Sequence, residues 1–179
     1  ELTSTQACQD NLTAESIFND VGRTVEEGLQ DNNQGKSCPN YSLENENTLI
    51  INFGSTNCLN NNDGKLRRGA INVTFTGKYY DSLSVITTTF DNYYLNNNLV
   101  VGERIVTNQG RNSLGNMWFT IDVNNASITT SNGIINWESN RVREWVNGES
   151  TYSDISDDSY KVTGSASANG VNGNAFTMI

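Results

Sequence analysis

The chain has 179 residues, of which 35% are hydrophobic, and its 20 acidic and 11 basic residues give a formal net charge of -9. This charge argues against nucleic-acid binding, because no basic stripe is present to neutralise phosphates, and against an anionic membrane surface. No run approaches the roughly 18 apolar residues of a membrane span, so no transmembrane segment is expected. Histidine is absent, and we therefore predict no metal site and no cofactor.

The first residues, ELTSTQACQD, contain neither the basic region nor the apolar run of a signal peptide. A polar, Asn-rich composition favours a secreted protein whose leader has been removed over a cytosolic one. We expect the protein outside the cell or at the outer-membrane surface.

The clearest helix signal lies at residues 13–30. Apolar side chains recur there near the i, i+4, i+8 spacing of a one-sided helix: Ile17, Phe18, Val21, Val25 and Leu29. Gly22 and Gly28 weaken the signal. The next segment, from Asp31 to Ser42, contains the only proline and is predicted to be a loop.

From Thr48 onward, apolar and polar residues alternate with the period of a half-buried strand. The segments AINVTFTG, VITTTFDNYY and MWFTIDV are clear examples, and turn signals such as LNNN and TNQGRN separate them. About nine strands joined by short turns predict an antiparallel meander. We expect one mainly β domain over 1–179, with a helix at 13–30 and antiparallel strands over 48–179, as a sandwich or an open, barrel-like curved sheet.

The alternation between Gly69 and Val101 assigns side chains to faces. One face should bury the apolar residues Ile71, Val73, Phe75, Ile86 and Phe90. The other face should be solvated or partner-facing and carries Asn72, Thr74, Thr87 and Thr89. A register slip of one residue would exchange the two faces. The hairpin turn is expected at Tyr80–Ser84.

The ionisable residues do not indicate a catalytic site. Ser and Cys nucleophiles lack a His base, so a Ser-His-Asp triad is impossible. Both charge signs lie on predicted strands: Glu103, Asp122, Glu138 and Glu144, and Lys78, Arg104, Arg141 and Arg143. Paired carboxylates could serve glycoside hydrolysis, but surface charge ladders explain this mixture more simply. We predict a protein that is not an enzyme.

Aromatic residues on or beside the strands are the better candidates for a working surface. Adjacent pairs such as Tyr79–Tyr80 must point one ring to each face of the sheet. Exposed rings can stack on sugars or anchor a protein partner, although a second core beneath the helix or a loop is the alternative. The candidate binding residues are Tyr79, Tyr94, Trp118, Trp137 and Trp145.

The three cysteines suggest one disulfide and one free thiol in an oxidising compartment. Cys38 and Cys58 flank the strand at 48–53, whereas Cys8 precedes the helix. We predict a Cys38–Cys58 disulfide, which closes a loop of about 20 residues and stabilises the fold by roughly 3 kcal/mol.

The string from Leu49 to Asn108 resembles a family of uncharacterised secreted proteins and lipoproteins from Bacteroidota such as flavobacteria. The shared motifs are DGxxRxG, which here begins at Asp63, and TTxFDNYxxN, which here includes Thr88–Tyr94. The resemblance covers most of residues 48–179 and departs at Asn52, where the family tends to have Asp. It supports fold and location and implies no activity.

The same resemblance carries two further expectations. The family usually continues past this end with more strands, so the last strand, NAFTMI, should leave an open edge or meet a strand from another chain. The triplet Asp81-Ser82-Leu83 fits an O-glycosylation sequon of secreted Bacteroidota proteins. Ser82 is therefore a candidate glycosylation site in an accessible turn.

These observations predict a structural or partner-binding protein of the cell envelope, whose partner is another envelope or secreted protein. One alternative is a glycan-binding module that uses the exposed Tyr and Trp. The other is a lipid carrier in which the helix closes the mouth of a curved sheet. A row of exposed rings in a groove would favour glycan, a closed apolar cavity would favour lipid, and a bare sheet edge would favour a protein partner.

Overall fold

The computed structural model describes residues 2–30, 38–151 and 156–179, with side chains from Thr5 onward. Within these residues, helix α1 (Leu2–Gln30) is followed by nine strands and a short 3₁₀ turn (Glu149–Thr151). The strands are β1 (Asn40–Glu44), β2 (Thr48–Asn60), β3 (Lys65–Phe75), β4 (Val85–Leu95), β5 (Asn98–Arg111), β6 (Met117–Thr130), β7 (Gly133–Asn147), β8 (Ser159–Asn169) and β9 (Ala175–Met178). Of the predicted loop, residues 31–37 lie outside the described ranges.

All nine strands form one antiparallel sheet whose spatial order is the chain order. Each strand pairs with its neighbours in the chain, so the sheet is a meander. β1 and β9 have one neighbour each, and the sheet is therefore open and not closed into a barrel. The predicted mainly β meander with an N-terminal helix is confirmed, and it takes the form of a single open sheet rather than a sandwich.

The β4–β5 turn explains part of the high asparagine content. Asn96 and Asn97 alone connect the two strands and have φ values of 49° and 65°. A two-residue turn of type I′ needs positive φ at both positions, and asparagine tolerates this region better than most residues with a side chain. The turn predicted from LNNN is confirmed.

The stretch from Gly69 to Val101 has the predicted faces. Phe75 lies opposite Ile86, and Phe90 lies opposite Ile71. Directly opposed residues of antiparallel strands point to the same side of a sheet, so both phenylalanines share one face. Both are half-buried and pack against the core, while Asn72, Thr74, Thr87 and Thr89 alternate with the buried residues and lie on the other face. The connection at 76–84 contains the expected turn.

Helix α1 covers one side of the sheet, which we call the inner face; the opposite side is the outer face. Apolar residues of α1 are buried against it: Ala14, Ile17, Phe18, Val21 and Val25. The Phe18 ring stacks on Trp137 of β7 at 5.5 Å between centroids and meets the edge of Phe90 of β4 at 6.0 Å. Gly28 brings the helix close to β2, because an added Cβ would lie 3.0 Å from Ile51 Cδ1. The core therefore lies between α1 and the inner face.

The helix begins at Leu2 rather than at Thr13. Its first half is held to the sheet by polar contacts that hydrophobic spacing does not reveal. Buried Asp10 accepts a hydrogen bond from the Val171 backbone N–H at 2.9 Å, and buried Asn11 accepts one from Trp137 Nε1 at 3.1 Å. Among the described residues, no helix combines the length and apolar character needed to cross a membrane.

Strand β1 begins within the predicted loop, which was expected to reach Ser42, and continues to Glu44. It pairs with Thr48–Asn52 of β2, so the strand region begins at Asn40 instead of Thr48. Tyr41 packs against the core, whereas its strand neighbours are exposed. A strand at the sheet edge without a buried face lacks the alternation that identified the others.

A buried cluster of ion pairs fixes α1 to the β2–β3 hairpin. Arg67 of β3 is 2% exposed and donates hydrogen bonds to Asp20 of α1 at 2.8 Å and to Asp63 at 2.7 Å. Lys65 Nζ also donates to Asp20, at 2.7 Å. Burial would raise the pKa of Asp20, but the hydrogen bonds from Lys65 and Arg67 outweigh it and hold that pKa below its usual value. The Arg67 hydrogen bond strongly lowers the pKa of Asp63.

The predicted disulfide is confirmed between Cys38 and Cys58, whose Cα atoms are 6.3 Å apart. It joins the residues just before β1 to the far part of β2, beyond the segment that pairs with β1. Cys8 is a free, exposed thiol on α1.

Replacing Cys38 and Cys58 by serine should lower the free energy of unfolding by about 3 kcal/mol, because the unfolded chain loses a cross-link over about 20 residues. Urea denaturation measures the change. Cys8→Ser is the control and should stay within about 0.5 kcal/mol of wild type. A double serine variant as stable as wild type would show that the disulfide does not constrain the unfolded chain.

The lowered pKa values of Asp20 and Asp63 predict loss of stability in acid. A carboxyl group whose pKa is lower in the folded than in the unfolded state stabilises the fold above its unfolded pKa, and this contribution disappears as the pH falls below about 4. Urea denaturation between about pH 2 and 7 should show this fall for wild type. Asp63→Asn should be less stable at neutral pH and show a shallower fall, whereas Asp91→Asn, at an exposed carboxylate, should follow wild type. An identical pH dependence in Asp63→Asn would contradict the assignment.

Candidate functional site

Trp137 is a core residue and not the exposed binding ring predicted from the sequence. Its side chain on β7 is 3% exposed, stacks on Phe18, and donates its Nε1–H to Asn11. The cause is the period of β7, which turns Ile135, Trp137 and Ser139 toward α1 together.

Trp145 is also buried, although it was predicted to be a binding aromatic. Its ring lies between two more exposed rings, those of Tyr80 at 5.9 Å and Tyr160 at 5.4 Å between centroids. The buried Trp145 ring therefore packs against both of the more exposed rings. A ligand on this surface would touch Tyr80 or Tyr160 before it touched Trp145.

Tyr79 is half-buried and stacks on Phe119 with 4.6 Å between ring centroids. Its hydroxyl is hydrogen-bonded to Nη2 of Arg143. Burial raises the pKa of Tyr79 to about 12, so the phenol is neutral at physiological pH. The residue fixes the position of Arg143 and has little free surface of its own.

Tyr94 and Trp118 lie on the outer face, each half-buried, and do not form a common platform. The Arg68 guanidinium covers the Tyr94 ring at 3.6 Å from its centroid. The strand register places Tyr94 near the Thr129 end of β6, whereas Trp118 is at its start. At about 3.4 Å per residue, the two rings are about 35 Å apart along the strands. One sugar chain could not stack on both without spanning much of the sheet.

The structure instead gathers rings around Arg143, in what we call the aromatic–arginine cluster. Its members are Tyr79, Tyr80, Phe119, Arg143, Trp145 and Tyr160. The guanidinium carbon lies 5.7, 5.4 and 5.1 Å from the ring centroids of Tyr79, Phe119 and Tyr160, within the range of cation–π attraction. Loop 76–84, the start of β6, the end of β7 and the start of β8 supply these residues at one end of the sheet. Tyr80 and Tyr160 are exposed, so the cluster is open to solvent on that side.

The arginines predicted to be surface charges point toward α1. Arg143 donates a hydrogen bond to Glu26 of the helix at 3.2 Å, and Arg141 donates one to Glu15 at 3.3 Å. Arg104 is 7% exposed, so a surface role for it is wrong. Its guanidinium lies against the helix backbone at Gly22, where an added Cβ would be 2.8 Å from Nη2. Burial lowers the pKa of Arg104 to about 10, and the group remains charged at neutral pH.

Strand β8 has one open side over Ser159–Ser165, facing away from β7, and we call this segment the β8 edge. β7 pairs along the full length of β8, whereas β9 pairs only from Ala166 to Asn169. No strand of the described residues lies on the other side of the β8 edge. Val162 is 57% exposed there and Tyr160 is 38% exposed, both on the inner face. The predicted open edge at the last strand is confirmed as well, since β9 has β8 as its only neighbour among the strands that the structure describes.

A cleft of about 700 Å³ opens where the last strands meet β6 and β7. Most of its lining residues are Asn, Ser, Thr and Ala, and its rings are those of buried Trp137 and half-buried Phe176. The cleft offers hydrogen bonds but no fully exposed ring for a sugar to stack on.

Ser82 is exposed in the connection between β3 and β4. The loop is ordered around it by two hydrogen bonds, from the Lys78 N–H to the Asp81 carboxylate at 2.8 Å and from the Leu83 N–H to the Asn108 carbonyl at 2.9 Å. The hydroxyl is therefore presented on a defined turn. Its glycosylation stays a prediction.

Sequence reasoning missed the inward arginines and the β8 edge. One signal for Arg143 was available, because it shares the odd-numbered positions of β7 with Trp137 and Trp145 and must therefore lie on their face. No comparable signal exists for the β8 edge. Its exposure depends on where β9 stops pairing, which local alternation does not determine.

A comparison of two tryptophan variants separates core rings from surface rings. Trp137→Ala should lower the free energy of unfolding by about 3–5 kcal/mol, because it removes a packed ring and the hydrogen-bond donor of Asn11 Oδ1. Trp118→Ala, on the outer face, should cost about 1 kcal/mol or less. Urea denaturation measures both changes. Equal costs for the two variants would show that Trp137 is not part of the core.

Comparisons with protein-family models, curated proteins and solved structures found no match to this chain.

Proposed function

We propose that this protein is a non-catalytic, partner-binding protein of the cell envelope or cell exterior. It holds an extended segment of another envelope or secreted protein along the β8 edge. The observation that carries the proposal is the row of unpaired backbone groups over Ser159–Ser165.

Unpaired N–H and C=O groups at a sheet edge are a template for another strand. Peptides recognised in this way add to the sheet through main-chain hydrogen bonds, and alternate side-chain pockets give specificity. Natural edge strands are usually short, charged or covered to prevent such pairing. The β8 edge is seven residues long, from 159 to 165. No described strand covers it, although an edge of this length would usually be protected.

The side chains of the β8 edge define the partner segment. Val162 and Tyr160 offer apolar surface on the inner face. Lys161 is a residue type that discourages edge pairing, but it lies opposite Glu144 of β7, which offsets its charge. The partner strand should therefore alternate, with apolar residues toward the inner face and polar residues toward the outer face.

Location and the absence of catalysis are supported by different observations. The Cys38–Cys58 disulfide is stable in an oxidising compartment, and a net charge of -9 favours solubility there. The chain contains no His, so its Ser and Cys side chains lack the usual catalytic base.

The two alternatives receive less support. The rings expected to bind a glycan are either buried, as Trp137 and Trp145 are, or far apart, as Tyr94 and Trp118 are. A lipid carrier needs an apolar space between helix and sheet, but side chains such as Phe18 and Val21 of α1 pack directly against the inner face.

A photo-crosslinking phenylalanine analogue at position 162 should capture a different protein in the cells that produce this chain. The same analogue at Val101, which is 48% exposed on the outer face, is the matched control and should not capture it. When the captured partner is added to the purified protein, amide hydrogen exchange should slow at the alternate residues of 159–165 whose N–H groups point away from β7, because the new strand pairs with them.

Three results would contradict the proposal. Capture could be equal at the two positions, the captured species could be a second copy of this chain, or the bound partner could leave the amides of the β8 edge unprotected. The last result would place the partner elsewhere on the molecule.

A further inference from the structure

Arg104 is a buried charge without a partner among the described residues. It lies on β5 opposite Thr88 of β4 and Val123 of β6, near the middle of the sheet. Its guanidinium lies against Gly22 of the helix, which has no side chain that could pair with the charge. Among the described residues, the ion pairs to Glu15 and Glu26 are made by Arg141 and Arg143, and Glu26 acts on Arg104 only through its charge at longer range. Such burial of an uncompensated charge is costly unless something pairs with it.

Other unused donors surround it. The Thr88 hydroxyl is buried without a hydrogen-bond partner, and so is Nε of Arg143. Glu26, which pairs with Arg143, follows Gly22 by one helical turn, a rise of about 6 Å. Arg104 and Arg143 therefore contact the helix one turn apart, and the charge of Glu26 acts on both guanidinium groups.

The charges do not balance. Arg104 and Arg143 contribute two positive charges, Glu26 contributes one negative charge, and Tyr79 is neutral because burial raises its pKa. One positive charge and several N–H donors remain for a ligand. In contrast, Arg67 of the same face has both Asp20 and Asp63 as partners.

We propose that Arg104 and Arg143 bind the carboxylate group of a small organic ligand beneath α1. The ligand enters beside Glu26, and its apolar part lies against the aromatic–arginine cluster. The site shares the Tyr160 side chain with the β8 edge but does not use the backbone of that edge, and it does not depend on the proposed partner.

Three features favour a carboxylate. The planar guanidinium fork matches the two oxygens of a carboxylate. Exposed rings at Tyr80 and Tyr160 suit an apolar or aromatic body attached to that group. The net charge of -9 repels multiply charged anions such as phosphate more strongly than it repels a monoanion.

The Glu26 carboxylate competes with the ligand carboxylate for Arg143. It already occupies one donor of Arg143 at 3.2 Å, and its side chain is 41% exposed, so it can turn outward when a ligand carboxylate arrives. Removing its charge should therefore strengthen binding, which a purely structural ion pair does not predict.

Benzoate is the probe, and benzamide is its neutral counterpart of similar shape. Isothermal titration calorimetry at constant ionic strength should show that wild type binds benzoate saturably and does not bind benzamide. Glu26→Gln should bind benzoate about tenfold more tightly, and Arg104→Met should bind it at least about tenfold more weakly, since one charge-assisted hydrogen bond is gained or lost. Without ligand, Arg104→Met should melt at a higher temperature than wild type, because the unpaired buried charge is gone.

Arg111→Met is the matched control, since Arg111 is an exposed arginine paired with Glu149 at the surface, and it should bind benzoate as wild type does. If Arg104→Met does not fold, the Glu26→Gln comparison still decides. Unchanged or weaker binding in Glu26→Gln, equal binding of benzamide, or phosphate binding as tight as benzoate would each overturn the assignment of a carboxylate site.

Discussion

The structure depends on one apolar contact, the packing of α1 on the inner face. An open sheet is a single layer and cannot bury its own apolar face, so a second layer is required. The helix supplies it with five buried apolar side chains, Ala14, Ile17, Phe18, Val21 and Val25. At about 1.5–3 kcal/mol for each large side chain, this contact contributes roughly 10 kcal/mol, which is comparable to the whole stability of a typical domain. Without the helix, the sheet would have no core.

Two buried arginines of the inner face, Arg67 and Arg104, lie beneath α1 in different surroundings. Where α1 crosses Arg67, the helix provides Asp20, and the β2–β3 hairpin adds Asp63. Where it crosses Arg104, the helix has Gly22, which permits close approach but offers no charge. In the first of these surroundings, Arg67 pairs with both carboxylates and Lys65 pairs with Asp20, and these ion pairs hold the two layers in register. In the second, Arg104 has no carboxylate partner among the described residues, and this difference between two arginines of one face separates an architectural site from a candidate binding site.

Local alternation in the sequence predicted much of the fold. Strands such as β3 and β4 repeat apolar residues over enough positions to reveal both their existence and their faces, and Asn96–Asn97 marks its turn by residue type alone. Features that rest on nonlocal contacts were not accessible. Asp10 is an ordinary polar residue until Val171 reaches it, and Arg104 has the pattern of a surface charge until the helix covers it. β1 lacks alternation because most of its side chains face solvent.

The position of the helix at the start of the chain has a consequence for how the molecule assembles. Consecutive strands pair locally, so the sheet can grow hairpin by hairpin as the chain is made. The helix contacts are of the opposite kind, since Asn11 meets Trp137 and Asp10 meets Val171, across 126 and 161 residues. Because synthesis runs from the N-terminus, α1 is made before any of the nine strands, and the sheet surface that it covers is completed last. Throughout that interval the apolar side of the helix has no sheet to pack against and stays exposed. This is the period in which a chaperone would protect the most apolar surface.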